Sequence, residues 1–201
     1  RFVGGISGML EGSGFVVSFL NNSGTVTASA GVGGIIGSVT SSASISFCNN
    51  MEGADIVASA GSAGGIAGIV GTELNTGSIL SDCENRASVS SGKRAGGIVG
   101  VGYGRIKKCL NLGAVSVPMT NDPIEETEGV RVDNIAFAGG IAGLNSFSVE
   151  NCENRGSVAG YTAGGIVSHY TSKVSTYKIT DCTNSGQITG TKSAAGIVAT
   201  I

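Results

Sequence analysis

Five cysteines, one histidine and fourteen carboxylates are the side chains of this 201-residue sequence that could most readily do chemistry. The closest two cysteines, Cys83 and Cys109, lie 26 positions apart, so no Cys-x-x-Cys metal motif exists. His169 is the only base available to a Ser-His-Asp triad, yet no Gly-x-Ser-x-Gly elbow accompanies it, and it reads as a polar loop residue. Gly100-Val101-Gly102-Tyr103-Gly104 resembles a phosphate loop until Arg105 takes the position that needs glycine. Gly92-Lys93 fails as a Walker loop because Ala87 stands where its first glycine belongs. The acidic residues Asp82, Glu84, Glu150, Glu153 and Asp181 change register from copy to copy and alternate with Arg86, Lys107, Lys108 and Arg155, as on a solvated face. No metal, no cofactor and no catalytic residue is expected from these patterns.

What positions these residues is a repeat. Gly-Gly-Ile begins at Gly4, Gly33, Gly64, Gly96, Gly139 and Gly164, and Ala195-Gly196-Ile197 is a seventh, altered copy. A second element, Cys-x-Asn-x-Gly-x-Val, falls between these blocks at Cys109, Cys152 and Cys182. Looser copies start at Leu20, Cys48 and Cys83, and an aliphatic residue precedes each by three positions. Each unit therefore has three short apolar segments, too glycine-rich for helices and bounded by turn residues. Stacked at the strand spacing of ~4.8 Å, such units form parallel sheets with like residues in ladders. The expected fold is all-β: a right-handed parallel β-helix solenoid with three short strands per coil and about six to seven coils.

Several columns follow. Ile6, Ile35, Ile66, Ile98, Ile141, Ile166 and Ile197 should share one buried column. The five cysteines occupy a slot that Leu20 fills in the first coil, which predicts buried, unbridged thiols. Asn22, Asn50, Asn85, Asn111, Asn154 and Asn184 are expected at a corner, where asparagine tolerates left-handed backbone and its amide can bond along the stack.

The composition fits. Thirty-five glycines, 41% hydrophobic and 13% charged residues exclude a disordered polar chain. A net charge of −2 gives no field for nucleic acid, and no apolar run is long enough for a membrane-spanning helix. One domain, residues 1–201, is expected. Because the sequence starts and stops inside a repeat, it reads as part of a longer protein, with ends that could support end-to-end self-association.

The unit Ile-x-x-Cys-x-Asn-x-Gly-x-Val followed by Ala-Gly-Gly-Ile-x-Gly, as in Arg105 to Val115, Phe137 to Gly143 and Val149 to Ser168, resembles the GLUG-motif repeats. The family's Gly-Leu block is replaced here by isoleucine throughout. The resemblance covers nearly all of the chain except Pro118 to Asn134. It implies a bacterial, extracellular or cell-surface protein with a structural or adhesive, non-enzymatic role, and it carries over no catalytic residue.

The largest departure from the repeat is an insertion, 118–134, containing Asp122, Glu125, Glu126, Glu128 and Asp133. Insertions on solenoids often mark a binding face. Tyr161 occupies the corresponding turn of the next coil and should lie beside the insertion's base. These six residues are the expected binding site, with a host or neighbouring-cell protein or glycan as partner. A second extended turn, Ser168 to Lys178, carries His169, Tyr170 and Tyr177. The competing function is a carbohydrate-active β-helix enzyme, a polysaccharide lyase or glycoside hydrolase.

Overall fold

The computed structural model describes residues 1–73, 76–119, 136–171 and 176–201. All of its regular elements are short strands, and every strand pairing is parallel. The chain winds as a parallel β-helix of stacked coils. Hydrogen bonding divides the three apolar segments of a coil further, into five strand pieces. In the second coil these are Gly31–Gly33, Ile36–Val39, Ala43–Ser46, Asn49–Asn50 and Asp55–Ala58. Like pieces stack into one 11-stranded, one 7-stranded and two 6-stranded sheets. Among the described residues, no helix is long and apolar enough to cross a membrane.

The isoleucine register runs the whole length. Each N–H of the column donates to the next isoleucine's carbonyl: Ile6 to Ile35 at 3.1 Å, Ile35 to Ile66 at 3.0 Å, and so on to Ile166 and Ile197 at 3.0 Å. The five inner members are fully buried, whereas Ile6 and Ile197 are 53% and 38% exposed. The difference has a simple cause, since each terminal isoleucine has a stacked neighbour on one side only. Burial of the inner column and of Val39, Ile45, Leu80 and Ile106 supplies the apolar core.

The asparagine column departs from expectation. Its residues are strand residues pointing inward, and the left-handed corner lies three positions earlier. Phe19, Phe47, Asp82, Lys108, Asn151 and Asp181, each preceding the cysteine slot, have φ between 52° and 57°. The amides of Asn22, Asn85, Asn111 and Asn154 each donate twice. Asn85 Nδ2 gives one bond to Asn111 Oδ1 at 2.8 Å and one to the Ala87 carbonyl at 2.9 Å. The Nδ2-to-Oδ1 chain is continuous from Asn22 through Asn50, Asn85, Asn111 and Asn154 to Asn184, with steps of 2.7–3.1 Å. Asn50, Asn85, Asn111 and Asn154 are entirely buried, so these bonds satisfy groups that water does not reach.

This column explains the second glycine of each Gly-Gly pair. A Cβ on Gly97 would come within 2.2 Å of Asn111 Cγ and 2.1 Å of the Gly140 carbonyl oxygen. Gly65 stands in the same relation to Asn85, at 2.4 Å. Glycine is required there by the close approach of the amide ladder. The two sequence elements of the repeat are thus two halves of one packing contact.

Candidate functional site

The insertion leaves the coil after Val115–Ser116, and its leading edge is tied to the next two coils. The Tyr161 N–H, on the strand Val158–Gly164, donates to the Pro118 carbonyl at 3.0 Å. The Thr191 hydroxyl bonds the Met119 carbonyl. Tyr161 is half-buried, and Lys192 Nζ lies 5.5 Å from its ring centroid, within cation–π range. Tyr161 therefore sits at the base of the insertion. Asp122, Glu125, Glu126, Glu128 and Asp133 lie outside the described residues.

At the trailing edge, the Phe137 N–H donates to the Lys93 carbonyl at 2.8 Å. The Phe137 ring stacks on His169, with centroids 4.8 Å apart. His169 is a strand residue, within Val167–Tyr170, and not the loop residue expected. Burial, and then the charge of Arg94, hold its imidazole below the usual histidine range. Arg94 Nε and His169 Nδ1 are buried without a hydrogen-bond partner among the described residues. Tyr177, from the other extended turn, packs on Phe147 at 4.2 Å.

An open groove of about 290 Å³ runs beside the leading edge. Val57, Ser59, Ser90, Ser116, Val117 and Pro118 are among its walls, and among the described residues none that lines it is ionisable. Alternation along the strands produces this surface. Val57, Ser90 and Ser116 share one register, so outward hydroxyls and a valine methyl surface recur from coil to coil. Such a surface offers hydroxyl hydrogen bonds and apolar contact, and Tyr161 is tied to it through the Pro118 carbonyl.

On the opposite corner the charges are mostly paired. Glu153 receives two bonds from Arg155, at 2.6 and 3.1 Å, and that contact lowers the Glu153 carboxyl and raises the guanidinium. Glu84 pairs with Arg86, and Arg105 lies 3.7 Å from Glu150. These exposed pairs are screened and contribute little to stability. Among the described residues, no group of three or more His, Cys, Asp or Glu side chains is placed to hold a metal ion.

Sequence reasoning missed a second surface, in the first two coils. Phe19 and Phe47 stack with centroids 5.0 Å apart and are 73% and 47% exposed. Exposed Val16 and Met51 adjoin them in sequence, and Asn49 Nδ2 donates to Asn21 Oδ1 at 3.0 Å at the surface. The signal was present: the residue before the cysteine slot is Asp, Lys or Asn in the later coils and phenylalanine in these two.

No family model, curated protein or solved structure matches this chain.

Proposed function

We propose that this chain is a non-enzymatic structural or adhesive segment of a bacterial cell-surface or secreted protein. The solenoid would act as a rod that displays a side insertion to a host or neighbouring-cell protein or glycan. The observation that carries the reading is the uncharged, hydroxyl-lined groove at the point where the chain leaves its repeat, with Tyr161 fixed to Pro118 beside it. Hydroxyls with an adjacent aromatic face suit a sugar or a peptide. The likeness of the repeat unit to GLUG repeats supports the surface setting.

A glycan array read together with a reducing-end assay tests this directly. Binding without release of reducing ends is the expected result. Replacing 118–134 with a turn of the same sequence as Ser90 to Arg94 should abolish that binding and leave the fold intact. Turnover of any polysaccharide would replace this reading with the enzymatic one. Unchanged binding by the trimmed, folded chain would move the site elsewhere.

A further inference from the structure

Cys48, Cys83, Cys109, Cys152 and Cys182 occupy one slot in five successive coils, and all five are free thiols. Their surroundings repeat with little variation. Each sulfur lies 3.2–3.3 Å from the carbonyl two residues earlier, on Ser46, Ser81, Lys107, Glu150 and Thr180 respectively. The Cys109 N–H points at Cys152 Sγ from 3.5 Å, so a sulfur in this column can accept a backbone donor from the preceding coil. Interaction with the thiols on both sides lowers Cys83 and Cys152, whereas the same interaction, together with burial, raises Cys48, Cys109 and Cys182.

The spacing of the column has a chemical consequence. Stacked strands repeat at ~4.8 Å, and a metal–thiolate bond is ~2.3 Å long. A linear sulfur–metal–sulfur bridge spans about twice that bond, ~4.6 Å, which is one step of the ladder. We infer that adjacent cysteines of the column form inter-coil sites for a soft, two-coordinate cation. The reaction is an exchange without redox: two thiols release two protons, and each sulfur donates one electron pair to the metal. With a divalent ion the bis-thiolate is neutral, as an apolar core requires, whereas a monovalent ion would leave a buried negative charge. Mercury(II) is the ion of this class that meets both conditions. Thiolate selects soft metals over magnesium or calcium. The site is independent of the adhesive reading and survives its failure.

Adjacency, not thiol number, sets the capacity, and two variants with four thiols each separate these. Cys109→Ala leaves two adjacent pairs, Cys48–Cys83 and Cys152–Cys182. Cys83→Ala leaves Cys48 isolated and three thiols in a row, which make one bridge. The folded proteins are titrated with mercury(II) chloride against a competing monothiol, so that only two-sulfur sites retain the ion. The intact chain should hold two ions and keep one thiol. Cys109→Ala should hold two and keep none, and Cys83→Ala should hold one and keep two. X-ray absorption should show two sulfurs per ion at ~2.3 Å. Equal uptake by the two variants, or uptake only after unfolding, would overturn the inference. The corresponding valine pair gives the same readout if either alanine variant fails to fold.

Discussion

The asparagine and cysteine columns lie two residues apart in every coil and differ in what they demand of their neighbours. At Asn111 the side chain makes directional bonds to the coils on both sides and to its own turn. Its amide reaches so close to Gly97 that no larger residue fits. At Cys109 the side chain fills an apolar slot, and its polar contact is one weak bond to the Lys107 carbonyl. Both residues are buried, so burial does not distinguish them. The difference lies in bond satisfaction. Removing one asparagine strands polar groups in two neighbouring coils, whereas removing one cysteine leaves a small void.

The largest expected effect that sharpens this contrast is Asn111→Ala. It strands one amide proton of Asn85 and the Oδ1 of Asn154 away from water, and it should cost about 3 kcal/mol in urea denaturation. Cys109→Ala, measured the same way, should cost only about 1 kcal/mol, the loss of one small buried group. The smallest effect has the opposite sign. Lys108 is exposed and held at φ 52°, a conformation asparagine adopts more easily, as Asn151 does one coil on. Lys108→Asn should therefore raise stability by about 0.5 kcal/mol. A larger loss at Cys109 than at Asn111 would reverse the comparison.

The fold was legible because a solenoid writes its contacts into its period. Gly-Gly-Ile recurs where backbone meets backbone, and the isoleucine after it always faces the core, so register followed from alignment alone. Leu20 in the cysteine slot marked that column as apolar and the thiols as free. The left-handed corner is not legible in the same way, because asparagine suits both that backbone and a buried ladder. Spacing does not tell the two apart. The amide bonding along the stack was expected, but its demand for the second glycine becomes evident only when Gly97 and Asn111, fourteen residues apart in sequence, are seen in contact. His169 escapes sequence reasoning for a related reason, since its partner Phe137 lies in the preceding coil, far from it in sequence. Of the expected binding residues, Tyr161 was placed by counting turns, and its bond to Pro118 agrees with that count. The serine groove depends on which outward residues are small across three coils, a pattern that no single repeat displays.

Hydrogen exchange of the asparagine side-chain amides, followed by NMR, tests the continuity of the polar ladder most directly. In Asn85, Asn111 and Asn154 the Nδ2 bonds both the next asparagine's Oδ1 and a turn carbonyl, out of reach of solvent. Asn21 and Asn49, bonded to each other at the surface, serve as an internal control. A continuous ladder predicts that the three buried amides exchange as slowly as the most protected backbone amides of the core, through global unfolding. Exchange at the pace of Asn21 and Asn49 would contradict it.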